Sequence, residues 1–216
     1  MRRTDASFHR FSWARAIAIA EAFVDALPRH AVHGLTVVGS VRRLEPFVGD
    51  IDLVIACEDR PAVARACVSH RSVVQVIDRR AEYLCLQLRE RPLLDVWLVA
   101  PENQGAAVWL YTGPRDYTRR VRERALQHLG IAVTGGRLID SRGNVVVATT
   151  ELIAAQTLGI DLLPAELRQA QLVAGFWPTL TQSADGHAVS RIDHMRSIAD
   201  RSVRVQPARV GLWMHR

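Results

Sequence analysis

Lysine is absent from this chain: all 28 of its basic residues are arginine. A Walker-type phosphate loop needs its lysine and Schiff-base chemistry needs a lysine amine. Both are excluded, together with ligases that adenylate a lysine. No apolar run approaches the roughly 18 residues of a membrane span, so no membrane partner is expected. Cysteine is scarce. Cys57, Cys67 and Cys85 form an odd count without metal-ligand spacing, which reads as reduced, buried thiols in a cytoplasmic protein. The segment "MRRTDASFHRF" carries two arginines with no apolar signal core behind them, and export is not expected.

What is present is arginine and a globular share of apolar residues. The 216 residues are 49% hydrophobic with a formal net charge of +6, enough to bury a core as one domain or two small ones. Arginine offers planar, bidentate recognition of phosphate. Its excess, with an isoelectric point near 10.2, points to a polyanionic partner.

Along the chain, Ser12 is placed to cap a helix through "WARAIAIAEAFVDAL" that stops before Pro28. Ile17, Ala20, Val24 and Leu27 supply its buried stripe. A strand "LTVVG" leads into a Gly39–Ser40 turn, followed by strand "DIDLVIA", a short helix "PAVARACVSH", two β-rich runs "SVVQVID" and "AEYLCLQL", and strand "LLDVWLV". Helices are expected to cover one face of the resulting sheet. Beyond Gly113, "PRDYTRRVRERALQHLG" reads as a helix with Arg115, Arg119 and Arg122 on one face and Tyr117, Val121 and Ala125 on another. Gly130 stops it. A hairpin around Arg142–Gly143 and a helix "TTELIAAQTLG" follow. Clear periodicity is lost from about Gln171, and residues 201–216 hold four arginines and no acid.

The sharpest local feature lies in "VVGSVRRLEPFVGDIDLVIA". Side chains two apart on a strand share a face, so Asp50 and Asp52 face one way while Ile51 and Leu53 face the other. In "LLDVWLV" the same rule puts Asp95 with Trp97, opposite Leu94, Val96 and Leu98. Two carboxylates held so close raise each other's pKa unless a positive charge sits between them. Magnesium does this well, taking one or two carboxylates plus substrate phosphates.

The glycine–serine pair, the two arginines and the D-x-D resemble the nucleotidyltransferase superfamily, and more closely the family X DNA polymerases of the polymerase beta type. Asp95 matches that family's third metal-binding acid. "LYTGPRDYTRRVRERAL" is similar to its Y-F-T-G-S segment and following arginine helix, and "LGIDLLPAELR" to the L-G-L-P-x-I-P-P-E-L-R close of bacterial family X thumbs. The resemblance runs from about Arg10 to Arg168. It implies an α+β fold: a nucleotidyltransferase palm over residues 1–112, built as a mixed sheet with helices on one face, a small helix-plus-hairpin thumb over 113–170, and an extension of unknown role over 171–216.

The resemblance further implies a monomeric DNA polymerase that adds deoxynucleoside triphosphates to a primer 3′ end on gapped or primer–template DNA, in short-gap repair. It would use two magnesium ions, with manganese as a substitute. Asp50, Asp52 and Asp95 would hold the catalytic metal, Asp50 and Asp52 also the nucleotide metal, and Asp95 would lie nearest the primer hydroxyl. Gly39, Ser40, Arg43, Gly49 and Arg10 match triphosphate-binding positions. Tyr111 matches the aromatic under the sugar, beside Gly113, and Thr118 a position that reads the nascent pair. Arg115, Arg119 and Arg122 would contact DNA. Arg42 is expected to be structural, paired with an acid of the palm. Leu44 stands where the family has glycine, Leu110 where it has an aromatic, Pro114 where it has serine, and Gly135–Gly136 where it has an acid and a tyrosine. The alternatives are a template-independent or small-molecule nucleotidyltransferase, and a non-enzymatic DNA-binding or antitoxin-like module.

Overall fold

The computed structural model describes residues 10–168, and its first helix starts where the sequence supplies a cap. The Ser12 hydroxyl accepts from the Arg15 amide at 3.4 Å and opens α1 (Trp13–Asp25). The buried stripe of α1 is Ala16, Ala20 and Phe23, continued by Leu27, with Ile17 and Val24 flanking it half-buried. The expected stripe is thus rotated by about one residue: Phe23 fills the core, where Val24 had been expected. Residues 171–216, including the basic segment 201–216, lie outside the described residues.

Five strands form the main sheet: β2 (Gly34–Val38), β4 (Asp50–Ala56), β5 (Val73–Arg80), β6 (Tyr83–Leu88) and β7 (Leu93–Val99), in the order β2-β4-β7-β6-β5. Only β4 and β7 run parallel, so the sheet is mixed. A two-residue pairing of β1 (Phe11–Ser12) with β3 (Phe47–Val48) sits beside it. On one face, α1 and α3 (Arg60–Val68) cover Ile51, Leu53, Ile55, Leu84, Leu86, Leu94, Val96 and Leu98. Each such side chain, once buried, contributes about 1.5–3 kcal/mol. That layer also holds the register, because a one-residue slip would turn the aspartates into the core.

The expectation of helices on one face alone is corrected. Helix α4 (Gln104–Thr112) lays Ala107 and Val108 on Val38, Val54, Ala56 and Val99, on the far half of the opposite face. The cause is visible in the strand itself: the face that begins Asp50, Asp52 continues Val54, Ala56, and two apolar positions demand a cover.

The other side of α4 serves a further core. Ala106 and Trp109 pack with Tyr117, Val121 and Ala125 of α5 (Arg115–Leu129), with Val133 and Leu138, and with Ala154 and Leu158. Val133 and Leu138 belong to a three-strand antiparallel sheet of β8 (Ala132–Thr134), β9 (Arg137–Ile139) and β10 (Val145–Val146). Ala154 lies on α6 (Glu151–Thr157), capped by Thr150. The fold is α+β, a five-strand mixed sheet with helices plus a small three-strand antiparallel sheet. All described residues fall in one compact unit.

Candidate active site

The parallel pairing of β4 with β7 sets Asp52 directly opposite Asp95, with Asp50 opposite Leu93. Since Asp50 and Asp52 share a face, the three carboxylates occupy one patch of the sheet. Asp95 is 8% exposed, and Asp50 and Asp52 are half-buried. Burial pushes the Asp52 carboxyl up to about 8, helped by the charges of Asp50 and Asp95 and opposed by Arg43 and Arg115. Arg43 and Arg115 compensate its charged form only in part.

The turn after β2 is built around that carboxylate. Gly39 begins α2 (Gly39–Arg42) at φ 63°, and a side-chain carbon added there would lie 2.1 Å from Asp52 Oδ2. Glycine is required twice over, by the left-handed backbone and by the contact. Ser40 Oγ is shielded from solvent and makes no hydrogen bond among the described residues. A buried hydroxyl without a partner costs free energy, so a hydrogen bond formed at Ser40 Oγ would be favourable.

Arg43 donates to the Thr112 carbonyl at 2.6 Å and pairs with Glu45. Gly49 forms the bend between β3 and β4. Arg10 precedes Phe11, which pairs with Val48. It lines a shallow cavity of about 360 Å³ with Ser12, Arg15, Glu90 and Arg91.

From the other side, Tyr111 closes α4. Its ring stacks on Trp97 with centroids 4.0 Å apart and planes 12° off parallel. Burial, then the Glu82 carboxylate, pushes its hydroxyl up to about 12. A side chain on Gly113 would meet Tyr117 and Thr118 at 2.9 Å, so this glycine permits the tight step into α5. Thr118 is buried and gives its hydroxyl to the Arg115 carbonyl at 3.1 Å. Arg115, Arg119 and Arg122 are exposed on α5. Arg119 pairs with Glu123 at 3.1 Å and Asp116 at 3.8 Å, while the charges of Arg115 and Arg122 reach Asp52 and Tyr111 respectively.

The structure therefore brings together Asp50, Asp52, Asp95, Gly39 and Ser40, with Arg43 and Arg115 within electrostatic range of Asp52. Thr118 instead turns into its own helix. Arg42 is structural, but its acid is not in the expected region. It donates to both Glu151 oxygens, at 3.1 and 2.7 Å, and to Thr112 Oγ1 at 2.6 Å. Arg168, 1% exposed, donates to Glu151 Oε1 as well, at 2.7 Å. Two guanidinium groups can be gathered on this half-buried carboxylate because each oxygen accepts more than one bond.

Sequence reasoning missed Tyr83. Its hydroxyl donates to Asp95 Oδ1 at 2.8 Å, and its ring lies 4.4 Å from that of Trp97. Burial, then the bond to Asp95, raises the Tyr83 pKa and keeps it a donor. The signal was in "YLCLQL", where Tyr83, Cys85 and Gln87 alternate with three leucines and so share the aspartate face. Glu82, paired with both Arg60 and Arg137, was missed as well.

No protein-family model matches this chain, and none of the curated proteins matches it. Among the described residues, no three His, Cys, Asp or Glu side chains form a ready-made set of metal ligands, and one oxygen of Asp95 is engaged by Tyr83. In kind, the donors fit a hard divalent cation. They are all oxygen, the central carboxylate wants positive charge, and the neighbouring serine hydroxyl is unpartnered.

Proposed function

We propose that the chain is a minimal nucleotidyltransferase of the family X DNA polymerase type, adding nucleotides to a primer 3′ end in short-gap DNA repair. The observation that carries this reading is the pairing of Asp52 with Asp95 across parallel strands, with Asp50 on the same face, against a turn whose Gly39 has no room for a side chain.

Asp50, Asp52 and Asp95 would hold magnesium, or manganese in its place. Bound there, a divalent ion supplies charge neutralisation for the triphosphate and lowers the pKa of an attacking hydroxyl. The protein's own groups do the positioning. The bare Gly39 backbone makes room for the Asp52 carboxylate, Ser40 Oγ offers a hydrogen bond to a triphosphate oxygen, and Arg43 and Arg115 add positive charge beside Asp52. Tyr111, braced by Trp97, provides an apolar surface for the sugar. Exposed Arg115 and Arg122 are free to meet DNA phosphates, which favours an extended polyanionic acceptor. Primer extension on gapped, recessed and single-stranded DNA, with magnesium or manganese, tests the reading. Template-directed incorporation lost in Asp52→Asn and Asp95→Asn supports it; incorporation unaffected by both variants refutes it.

A second reading keeps the same chemistry with a template-independent or small-molecule acceptor. It is favoured by Thr118, buried in its own helix, and by Arg119, held by two acids, which together thin out the contacts available to a template. Untemplated addition to single strands in the same assay decides for it.

A further inference from the structure

Asp95 is almost buried, yet among the described residues its one side-chain hydrogen bond comes from a neutral group, the Tyr83 hydroxyl, at 2.8 Å. Tyr83 is fixed from two sides. Its backbone pairs with Trp97 in the β6–β7 register, and its ring rests on the Trp97 ring, itself stacked on Tyr111. The three rings make a stiff ladder from the thumb-side end of α4 to the carboxylate. Cys85, opposite Asp95 across the strands, is the adjacent member of the same face.

We propose that Tyr83 is a positioning residue for Asp95, an inference that rests on the nucleotidyltransferase reading of the three aspartates. A carboxylate on a strand rotates about two side-chain torsions, and only some settings direct an oxygen toward its neighbours. By donating to Oδ1, Tyr83 fixes the plane of the group and leaves Oδ2 for a cation or an acceptor hydroxyl. An arginine in the same place would fix it equally well but would neutralise the charge that the chemistry uses. A phenol orients the group and leaves its charge whole. The ring ladder makes this orientation costly to disturb, because moving Tyr83 breaks its packing on Trp97.

The test compares Tyr83→Phe, which keeps the ring and deletes the hydroxyl, with Tyr83→Leu, which deletes both. Two measurements are made on each: primer-extension kcat and nucleotide KM, and Mn²⁺ affinity of the metal-free protein by electron paramagnetic resonance. Hydrogen-bond partners of ligating carboxylates are typically worth 10–100-fold in affinity or activity. Tyr83→Phe is therefore expected to lose about that factor in kcat and in Mn²⁺ affinity, with KM changed by less than about twofold and melting temperature retained. If Tyr83→Phe keeps both parental values while Tyr83→Leu loses them, the ring alone matters and the proposal is overturned. If wild type extends no primer but Mn²⁺ affinity still separates wild type from Tyr83→Phe, the positioning role stands and the polymerase reading falls. Parental protein that binds no Mn²⁺ overturns the proposal itself.

Discussion

The backbone of Gly39 lies directly against the carboxylate of Asp52, so close that a methyl group at that position would sit 2.1 Å from Oδ2. Two residues 13 apart in the chain thus share one volume, and neither can change without moving the other. Gly39→Ala is expected to cost about 1–3 kcal/mol, from left-handed backbone strain and displacement of the carboxylate. Primer extension should fall by more than the stability loss explains, read by comparing chemical melts with turnover. A variant with parental turnover would show that Asp52 does not need its present place.

Metal-free stability should fall as pH rises. Burial, Asp50 and Asp95 raise the folded-state value of Asp52 to about 8, above its ordinary 3.8, so the folded protein holds that proton more tightly than the unfolded chain. The associated stability is complete below about pH 4 and is lost as pH climbs to about 8. Urea melts in chelator at pH 5, 7 and 9 should show this decline in wild type and a flatter profile in Asp52→Asn. Magnesium should restore wild type most at pH 9. Identical pH slopes for the two proteins would refute the assignment.

Leu44 occupies a glycine's conformation. It follows α2 at φ 57°, the Glu45 amide bonds back to the Ser40 carbonyl and the Leu44 amide to that of Val41. This is the helix ending that favours glycine in the left-handed position. The side chain is 42% exposed and recovers little by burial. Leu44→Gly should stabilise by up to about 1 kcal/mol, whereas Leu44→Val should destabilise. Thermal melts of both variants check the pair, and a destabilised glycine variant would contradict it.

Glu151 is expected to be the most costly single carboxylate to neutralise. Burial alone would push its carboxyl up, but hydrogen bonds and charges from Arg42 and Arg168 outweigh this and hold it below the usual range. Its contribution is therefore present above the ordinary glutamate pKa and is lost as pH falls below it. Glu151→Gln leaves one buried guanidinium group, Arg168, and one half-buried, Arg42, short of charge and should cost about 3 kcal/mol. It should also remove that part of the acid-side pH dependence. Loss of less than 1 kcal/mol would show the network to be well hydrated.

DNA affinity should fall steeply with salt, because arginine–phosphate contacts release counterions. Arg115→Ala and Arg122→Ala should each flatten the log–log slope by about one unit. Arg119→Ala should flatten it less, since Asp116 and Glu123 already hold its charge. Equal slopes for all three variants and wild type would mean that α5 faces solvent when DNA is bound.

Strands and caps were legible because they are written locally. The alternation in "DIDLVIA" and "LLDVWLV" gave both strands and the shared face of Asp50, Asp52 and Asp95, and Ser12 gave the start of α1. Helix α4 was not seen, because "QGAAVWLYT" is apolar on all sides and carries no 3.6-residue rhythm; it is buried between two cores. The partner of Arg42 was also hidden, as Glu151 lies 109 residues away and nothing local announces it. Tyr83 was half visible: its face could be read from alternation, but its bond to Asp95 depends on the β6–β7 register.

The shared carboxylate of Glu151 has a consequence for kinetics. It joins Arg42, 109 residues away, to Arg168, 17 residues away. One side chain thereby staples the stretch that follows the glycine–serine turn to α6 and to the last described residues. On the nucleotidyltransferase reading, any swing between these parts would first have to break that staple. A protein that keeps it would select its nucleotide by the fit of a preformed site.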